Sequence, residues 1–593
     1  MSSDVLPRPA RRAGKAFAWA LAALALAAVA FVVWIGIRGL LAYQHLEAAR
    51  GGIERASANI TEPDAAAADI RTASEEARAA ASLTSDPVWK AAEGLPWVGP
   101  QLAAVGTVSA AVAGVADSVL EPLSEVASGF SIDSLRLVDG ALDLSVFEAL
   151  REPATEASRG LDTAAEKLAG IDRAPLLRSV RQGLDEATGK LSTAVAAAGA
   201  LERVTTLLPA MLGGSEPRTW LLLFQNPAEL RSLGGMPGAT AVIAADGGRV
   251  QLVGQGTAAI PRFPEPVLPL DPEVQGVFGE RPAVWFSGTT ILPDFATAAP
   301  LAREMWNRAH GTLADGVISV DPIALSYLLK ATGPVQLPTG ETLTSDNAVS
   351  FLLNQVYIDY PDPVAQNAVF ASAAATVFDA LASGRAEPAA LVSALTQAGE
   401  ERRLLLWSSD PDEERMLSET TLSGPLPTTD ADTARFGVYL NDGTGSKLGY
   451  YLQVDPTLEW GNCAEPGDAA RRVTLTVTMH NKAPLDAATS LPDDIVGGNY
   501  GVPAGVLRVV GYIYLPLGST LVDAEATLAP GFGGGMQGGY RVLSFPADIA
   551  PGETSTVTVT VDLGDPLPDE VTALITPAFG ATSVTAACAD AER

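Results

Sequence analysis

Between Ala16 and Ile37 the chain carries no charged residue and only one glycine, Gly36. A helix of these 22 residues is about 33 Å long, enough to cross a hydrocarbon core of about 30 Å. Trp19 and Trp34 stand near its two ends, where interfacial aromatics belong. Arg8, Arg11, Arg12 and Lys15 precede it, which places the N-terminus inside the cell and the remainder outside. A cleaved signal peptide has an apolar stretch of about 7–15 residues, shorter than this one, so an uncleaved anchor is expected. Beyond it the period changes. Ala65 to Leu83 is rich in helix formers, with Glu75, Glu76 and Arg78 on its polar face. Leu95-Pro96-Trp97-Val98-Gly99-Pro100 interrupts, and a second helical run reaches about Val126. Phe130–Leu144 alternates as an extended segment would, and helices resume over Ser145–Gly170 and Arg173–Met211. This is the pattern of a membrane-proximal helical stalk or bundle.

From Arg218 the texture becomes mixed. Trp220–Phe224 is a buried-strand run, followed by a glycine-rich loop over Gln225–Gly238. Ala239–Ala245 and Arg249–Val253 flank the turn Asp246-Gly247-Gly248 as a hairpin. Helix over Ala299–Arg308, strand to Asp321, helix over Ile323–Ala331, helices over Ser345–Val356 and Asn367–Leu381, and a strand after Glu401 predict a mixed sheet with packed helices. Toward the C-terminus, Val473-Leu475-Val477 and Val557-Val559-Val561 alternate with polar residues, and Pro/Gly turns separate further short strands. That predicts a β-sandwich, immunoglobulin-like or related. The expected architecture is multidomain α+β. It has a cytoplasmic tail (1–15), a transmembrane helix (16–38), an extracytoplasmic helical region (39–213), a central α/β domain (214–430) and a β-sandwich domain (431–593).

Charge and composition narrow the functions. The net charge of −30 repels a phosphate backbone at long range, so no nucleic-acid partner is expected. The three histidines, His45, His310 and His480, are scattered, and no HExxH, CxxC or G-x-S-x-G is present. A zinc site or a Ser/His hydrolase therefore has little support. Cys463 and Cys588 are the only cysteines, and an oxidising compartment favours a bridge between them over two thiols. Within the glycine-rich loop, Asn226, Glu229 and Arg231 are candidate ligand residues, because a guanidinium fits phosphate or carboxylate in a bidentate manner. The bland alternative is that Arg231 pairs with Glu229 or another acid and fixes the loop. Arg402 and Arg403 could add positive charge to the same pocket or simply lie at the surface. Asp294 and Asp321 are the weak metal candidates, although Asp321 followed by Pro322 reads more readily as a helix cap. Asn441, Asp442 and Lys447 could face the central pocket, or serve as turn formers.

The segments LLLFQNPAELRSLGGMPGATAVIAADGGRV, DGVISVDPIALSYLLKATGPV, SDNAVSFLLNQVY, RRLLLWS and GVYLNDGTGSKLGYYL resemble the bacterial domain-of-unknown-function family 4012, common in actinobacteria. They run in order from about Trp220 to Leu452. The central part is more weakly similar to the LytR-CpsA-Psr cell-wall ligases, which transfer glycopolymers from polyprenyl pyrophosphate with magnesium and arginines on the pyrophosphate. The Pro-Arg-Asp motif of those ligases should follow Arg249–Val253, where this chain reads Gly254-Gln255-Gly256-Thr257-Ala258. Pro261-Arg262 is followed by Phe263, so a magnesium-holding aspartate is missing there. Two functions follow. In the first, a membrane-anchored envelope protein handles a lipid-linked or other anionic polymer through Arg231, with Arg402 or Arg403 in support. In the second, a non-catalytic scaffold with a degenerate ligase-like domain organises envelope proteins. No cofactor is evident, and magnesium is expected only with ligase-like chemistry. The membrane is the first expected partner. A lipid-linked glycopolymer or envelope proteins follow, with the oligomeric state open.

Overall fold

The computed structural model describes residues 8–58, 63–120, 122, 136–138, 140–461, 471–498, 500–564 and 568–588. It is a mixed α/β protein that divides into two compact units, Met1–Ser134 with Asp143–Pro209, and Leu135–Leu142 with Ala210–Arg593.

The first unit is helical. Helix α1 (Arg8–Ala58) carries the apolar run and continues well beyond it. After α2 (Pro63–Thr84) and α3 (Pro87–Ala92) comes α4 (Gly99–Val115), which ends in a single π turn over Ala116–Leu120. Ser145–Ala169 and Arg178–Met211 complete the set. The character of α1 changes along its length. Leu21, Leu24, Leu26, Val29 and Val32 are exposed, whereas Ile35, Ala42, Ala49 and Ala56 are buried at a spacing of seven. That heptad seam meets Ala73, Ala77 and Ala80 of α2, also buried. Small side chains let the two helices approach closely: a Cβ on Gly52 would lie 2.8 Å from that of Ala73. Polar contacts flank the seam, the ion pairs Arg55–Asp69 at 3.1 Å and Arg38–Asp86 at 2.8 Å and a hydrogen bond between His45 and Glu76 at 2.5 Å.

Among the described residues, three helices are long and apolar enough to cross a membrane: Trp19–Ala56, Gly99–Leu120 and Pro363–Ala382. Only 6% of the apolar window of the first is buried within the protein, against 44% and 28% for the others. Of the extended segment expected over Phe130–Leu144, residues 130–135 lie outside the described set. Val138 and Ala141 form a bridge, and Ala141 bridges to Arg249.

The second unit opens with β1 (Arg218–Arg231), β2 (Gly234–Asp246) and β3 (Arg249–Thr257). Next come β4 (Gly316–Val320), the small hairpin β5 (Val335–Gln336) and β6 (Thr342–Leu343), and β7 (Leu404–Ser408). A five-stranded sheet has the order β3-β2-β1-β4-β7, in which only β1 and β4 are parallel. The parallel pair needs a crossover, and the helix Phe295–His310 lies within it. Acidic residues begin many of the helices. Asp86, Asp271, Asp321, Asp362, Glu387 and Asp410 each accept from backbone N–H groups of the first turn and precede a proline.

The remaining strands are β8 (Thr433–Asp442), β9 (Leu452–Trp460), β10 (Arg472–Asn481), β11 (Leu507–Tyr514), β12 (Thr520–Ala526), β13 (Gly533–Gln537), β14 (Tyr540–Ile549), β15 (Thr554–Asp562), β16 (Glu570–Ile575) and β17 (Val584–Ala587). They form a four-stranded sheet, β12-β15-β10-β9, and a six-stranded sheet, β13-β14-β11-β8-β16-β17, with β8 and β16 parallel. The predicted alternation is realised in β10 and β15. Val473, Leu475, Val477, Val557, Val559 and Val561 are buried, while Thr474–Thr560 and Thr476–Thr558 pair across the strands on the other face. Apolar residues of both sheets share one cluster with Leu230 at the end of β1 and Tyr357. Cys588 is buried and disulfide-bonded; Cys463, the only other cysteine, lies outside the described residues.

The α1–α2 seam has no room for larger side chains. Ala77→Leu is expected to overpack it and cost about 1–3 kcal/mol. The measurement is thermal unfolding of the detergent-solubilised chain, with Glu75→Gln on the exposed face as a neutral reference.

Candidate functional site

The glycine-rich segment expected as a loop is instead the end of a hairpin. β1 and β2 remain paired to Arg231↔Gly234, leaving only Ser232 and Leu233 as the turn. The register slips between Asn226↔Met236 and Leu230↔Gly235, so Pro227, Ala228 and Glu229 bulge from the ladder. Asn226 shapes the bulge: its Oδ1 accepts from Ala228 N at 3.1 Å. The bulge lies against the turn Leu448–Tyr451, where a Cβ on Gly449 would fall 2.7 Å from the carbonyl oxygens of both Pro227 and Ala228. Only glycine permits that approach.

This arrangement brings Asn226, Glu229 and Arg231 together with Asn441, Asp442 and Lys447. Ser232 N donates to Asn441 Oδ1 at 3.0 Å, and Asn441 Nδ2 returns to Ser232 Oγ at 2.9 Å. Thr576 Oγ1 donates to Ser232 O at 3.2 Å and accepts from Leu440 N at 2.9 Å, joining the hairpin tip to β8. Glu229 and Lys447 form an ion pair at 3.5 Å. The Lys447 ammonium also lies 4.7 Å from the centre of the Tyr357 ring, whose hydroxyl accepts from Asn226 Nδ2 at 2.7 Å. Tyr357, Ser232 and Thr576 were not singled out from sequence. Tyr357 ends the motif SDNAVSFLLNQVY, and the other two carry no local signal.

Arg231 is almost fully buried. Its Nη1 donates to Leu230 O at 2.9 Å and to Asp442 O at 2.8 Å, while Nε has no hydrogen-bond partner. Burial lowers its proton affinity, and the nearby charges of Asp442 and Glu229 oppose that shift. The Asp442 carboxylate turns away to its own chain, accepting from Thr444 N at 2.7 Å, from the Thr444 hydroxyl and from Ser446 N at 2.8 Å. Burial raises the Asp442 carboxyl above its ordinary range, and these donors work against that. Burial also raises Glu229, outweighing Lys447 and Arg231.

Arg402 and Arg403 belong to a different place. Arg402 closes the helix Pro388–Glu400 with φ of 58° and donates to the Pro425 carbonyl. Arg403 is buried and fully engaged: Nη1 to Asp321 Oδ2 at 2.8 Å and Pro577 O at 2.9 Å, Nη2 to Ala578 O at 3.0 Å, and Nε to Glu401 Oε2 at 2.8 Å. Burial alone would weaken its hold on the proton, but the carboxylates of Asp321 and Glu401 outweigh it and hold Arg403 above its ordinary value. The two weak metal candidates are helix caps. Asp321 accepts from Ala324 N at 2.7 Å, and Asp294 accepts from Thr297 N at 3.0 Å and from its hydroxyl at 2.5 Å. Among the described residues, no cluster of three His, Cys, Asp or Glu could hold a metal ion.

A cleft of about 260 Å³ lies between β1–β3 and the helix Pro363–Ala382, lined by Phe224, Thr240, Gly256, Phe370, Ala371 and Ala374 among others. None of the nominated charged residues lines it. Residues 215–357 match the model of a family described as a protein of unknown function (DUF4012). The match takes in Asn226, Glu229, Arg231 and Tyr357, and ends before the β8 side of the cluster. No curated protein and no solved structure matches the chain.

Two expectations follow. Arg403→Ala would leave Asp321 as an unpaired buried acid, at a cost of about 3–5 kcal/mol, read as a lowered unfolding midpoint. Glu229→Gln tests the balance at the bulge. A carboxyl whose folded pKa lies above its unfolded one contributes stability below the unfolded value and loses it as pH rises through the folded value. The melting temperature of Glu229→Gln should therefore match the wild type near pH 4 and gain on it by pH 7. A relative loss at pH 7 would mean that the Lys447 pair dominates.

Proposed function

We propose that the chain is a single-pass envelope protein, N-terminus inside, whose extracytoplasmic part is a non-catalytic scaffold. The observation that carries this reading is the commitment of the nominated charges. Arg403 is bound by two carboxylates and two carbonyls, Asp294 and Asp321 are caps, and Glu229 pairs with Lys447. A ligand would have to displace these partners before meeting any of them. The exposed apolar surface of α1 and the basic residues before it support the anchor and its orientation. The disulfide-bonded state of Cys588 favours an oxidising location for the C-terminal strands. In this reading the four- and six-stranded sheets are the two layers of a β-sandwich, and the five-stranded sheet is the core of a ligase-like α/β domain that has lost its metal aspartate.

One observation favours a second reading, in which an anionic carrier is held. Arg231 keeps its Nε without a hydrogen-bond partner in a buried setting, which is costly unless something else meets it. Calorimetric titration of the full chain in detergent with a short-chain polyprenyl pyrophosphate, with and without magnesium, separates the two. The scaffold reading expects no saturable heat in either condition. Tight binding would overturn it and assign the carrier to this protein. Weakening of such binding by Arg231→Lys would then place the carrier at the bulge.

A further inference from the structure

We propose that the turn Leu95–Val98 is a second membrane contact, inserted into the lipid interface beside α1. This rests on reading α1 as the bilayer-spanning helix.

The register of the α1–α2 hairpin sets the depth of the turn. Moving along α2 toward α3, the partners on α1 step toward its N-terminus: Asp69 meets Arg55, Glu76 meets His45 and Asp86 meets Arg38. Trp89 of α3 then packs with Ile35, alongside Phe31 and Trp34, and α4 begins its return by placing Leu102 in the same cluster. The turn between α3 and α4 lies farther along that path. Helix α4 starts at Gly99, three residues or about 4.5 Å of helix rise before Leu102, and Leu95–Val98 lies just beyond that start. The level of Ile35 belongs to the apolar run of α1. At and beyond that level on α1, Val29, Val32 and Val33 are exposed. The turn is thus level with side chains that themselves face lipid.

The turn carries what an interfacial contact needs. Trp97 is 90% exposed, and Leu95 and Val98 are exposed beside it. No charge occurs from Leu95 to Val98. Trp97 holds a φ of 63°, a conformation that is costly for a bulky residue. Backbone bonds fix it there: Leu95 N to Ala92 O at 3.0 Å, Val98 N to Pro96 O at 2.8 Å and Gly99 N to Leu95 O at 2.9 Å. The neighbouring charges are paired, Lys90 to Glu93 at 2.8 Å and Arg38 to Asp86 at 2.8 Å, and the Glu93 carboxylate reaches back toward Gly106, a turn of α4 past Leu102. An indole presented to water on a strained, ordered turn loses apolar burial; at the lipid headgroup level it gains it. Continuity with the exposed surface of α1 makes lipid, rather than another protein, the occupant.

The full chain reconstituted in phosphatidylcholine vesicles tests this. Leu95→Cys and Val98→Cys are labelled with an environment-sensitive fluorophore, with Leu24→Cys as a reporter of the span and Thr163→Cys as a reporter of the aqueous bundle. Brominated acyl chains are expected to quench labels at 95 and 98 to within about twofold of the label at 24, and to leave 163 unaffected. Adding Trp97→Ser to Val98→Cys should cut that quenching at least about threefold. Quenching at 24 but not at 95 or 98 would overturn the proposal alone. If those two labels are also shielded from aqueous iodide, a protein covers the turn and the proposal again fails. No quenching at 24 would remove the bilayer-spanning reading, and this inference with it.

Discussion

A guanidinium taken out of water must be met by acceptors, and in the second unit those acceptors come from far along the chain. Arg231, at the end of β1, donates to the carbonyl of Asp442, 211 residues away. Arg403, at the start of β7, donates to carbonyls 174 and 175 residues away, just past β16. Neither side chain can be buried until the strands of the C-terminal sheets have come into place, and neither can be exposed again without leaving carbonyls or a carboxylate unmet. These contacts join the five-stranded sheet to the strands that follow it more specifically than apolar packing can. The packing agrees with them: Leu230 lies among residues of β8, β10 and β15, and Tyr439 and Tyr514 lie among residues of the five-stranded sheet and its helices.

The same constraint explains why some features could be read from sequence and others not. The apolar run of α1, the alternation of β10 and β15 and the helix after Asp321-Pro322 are local patterns, and all are realised where they were expected. The segment Gln225–Gly238 misled because its proline and glycines read as a loop. Here they serve a bulge and a tight two-residue turn within a continuous hairpin. The cluster at the bulge was half legible. Asn226, Glu229 and Arg231 stood out as a polar group between apolar strands, and Asn441, Asp442 and Lys447 stood out in a second motif. Their meeting depends on long-range strand pairing that no local pattern encodes. Arg402 and Arg403 are adjacent in sequence, yet one closes a helix and the other is an ion-paired pin. Only the direction in which each side chain leaves the backbone separates them.

Acidic side chains show how one residue type serves different ends. Among the described residues, six helix starts pair Asp or Glu with a following proline, so part of the chain's negative charge sits at the positive ends of helices. Asp442, in contrast, folds its carboxylate around the turn that carries Lys447 toward the bulge. Carboxylates used in this way are occupied by backbone N–H groups, which is a structural use of acidity rather than a catalytic one.

Helix α1 runs without a break from the apolar run into the α1–α2 seam, with no proline or π turn between them. In the proposed membrane-spanning reading, such a continuous helix behaves as a lever whose fulcrum is the membrane surface. The part that pairs with α2, from about Arg38 to Ala58, is roughly 30 Å long. Transmembrane helices commonly tilt by about 20°, and over that length such a tilt displaces the far end sideways by about 10 Å. In that reading, hydrophobic mismatch with the bilayer contributes to the tilt alongside helix packing, and so to where the hairpin tip stands above the membrane. A change in lipid composition would be converted into a lateral displacement of the stalk without any hinge.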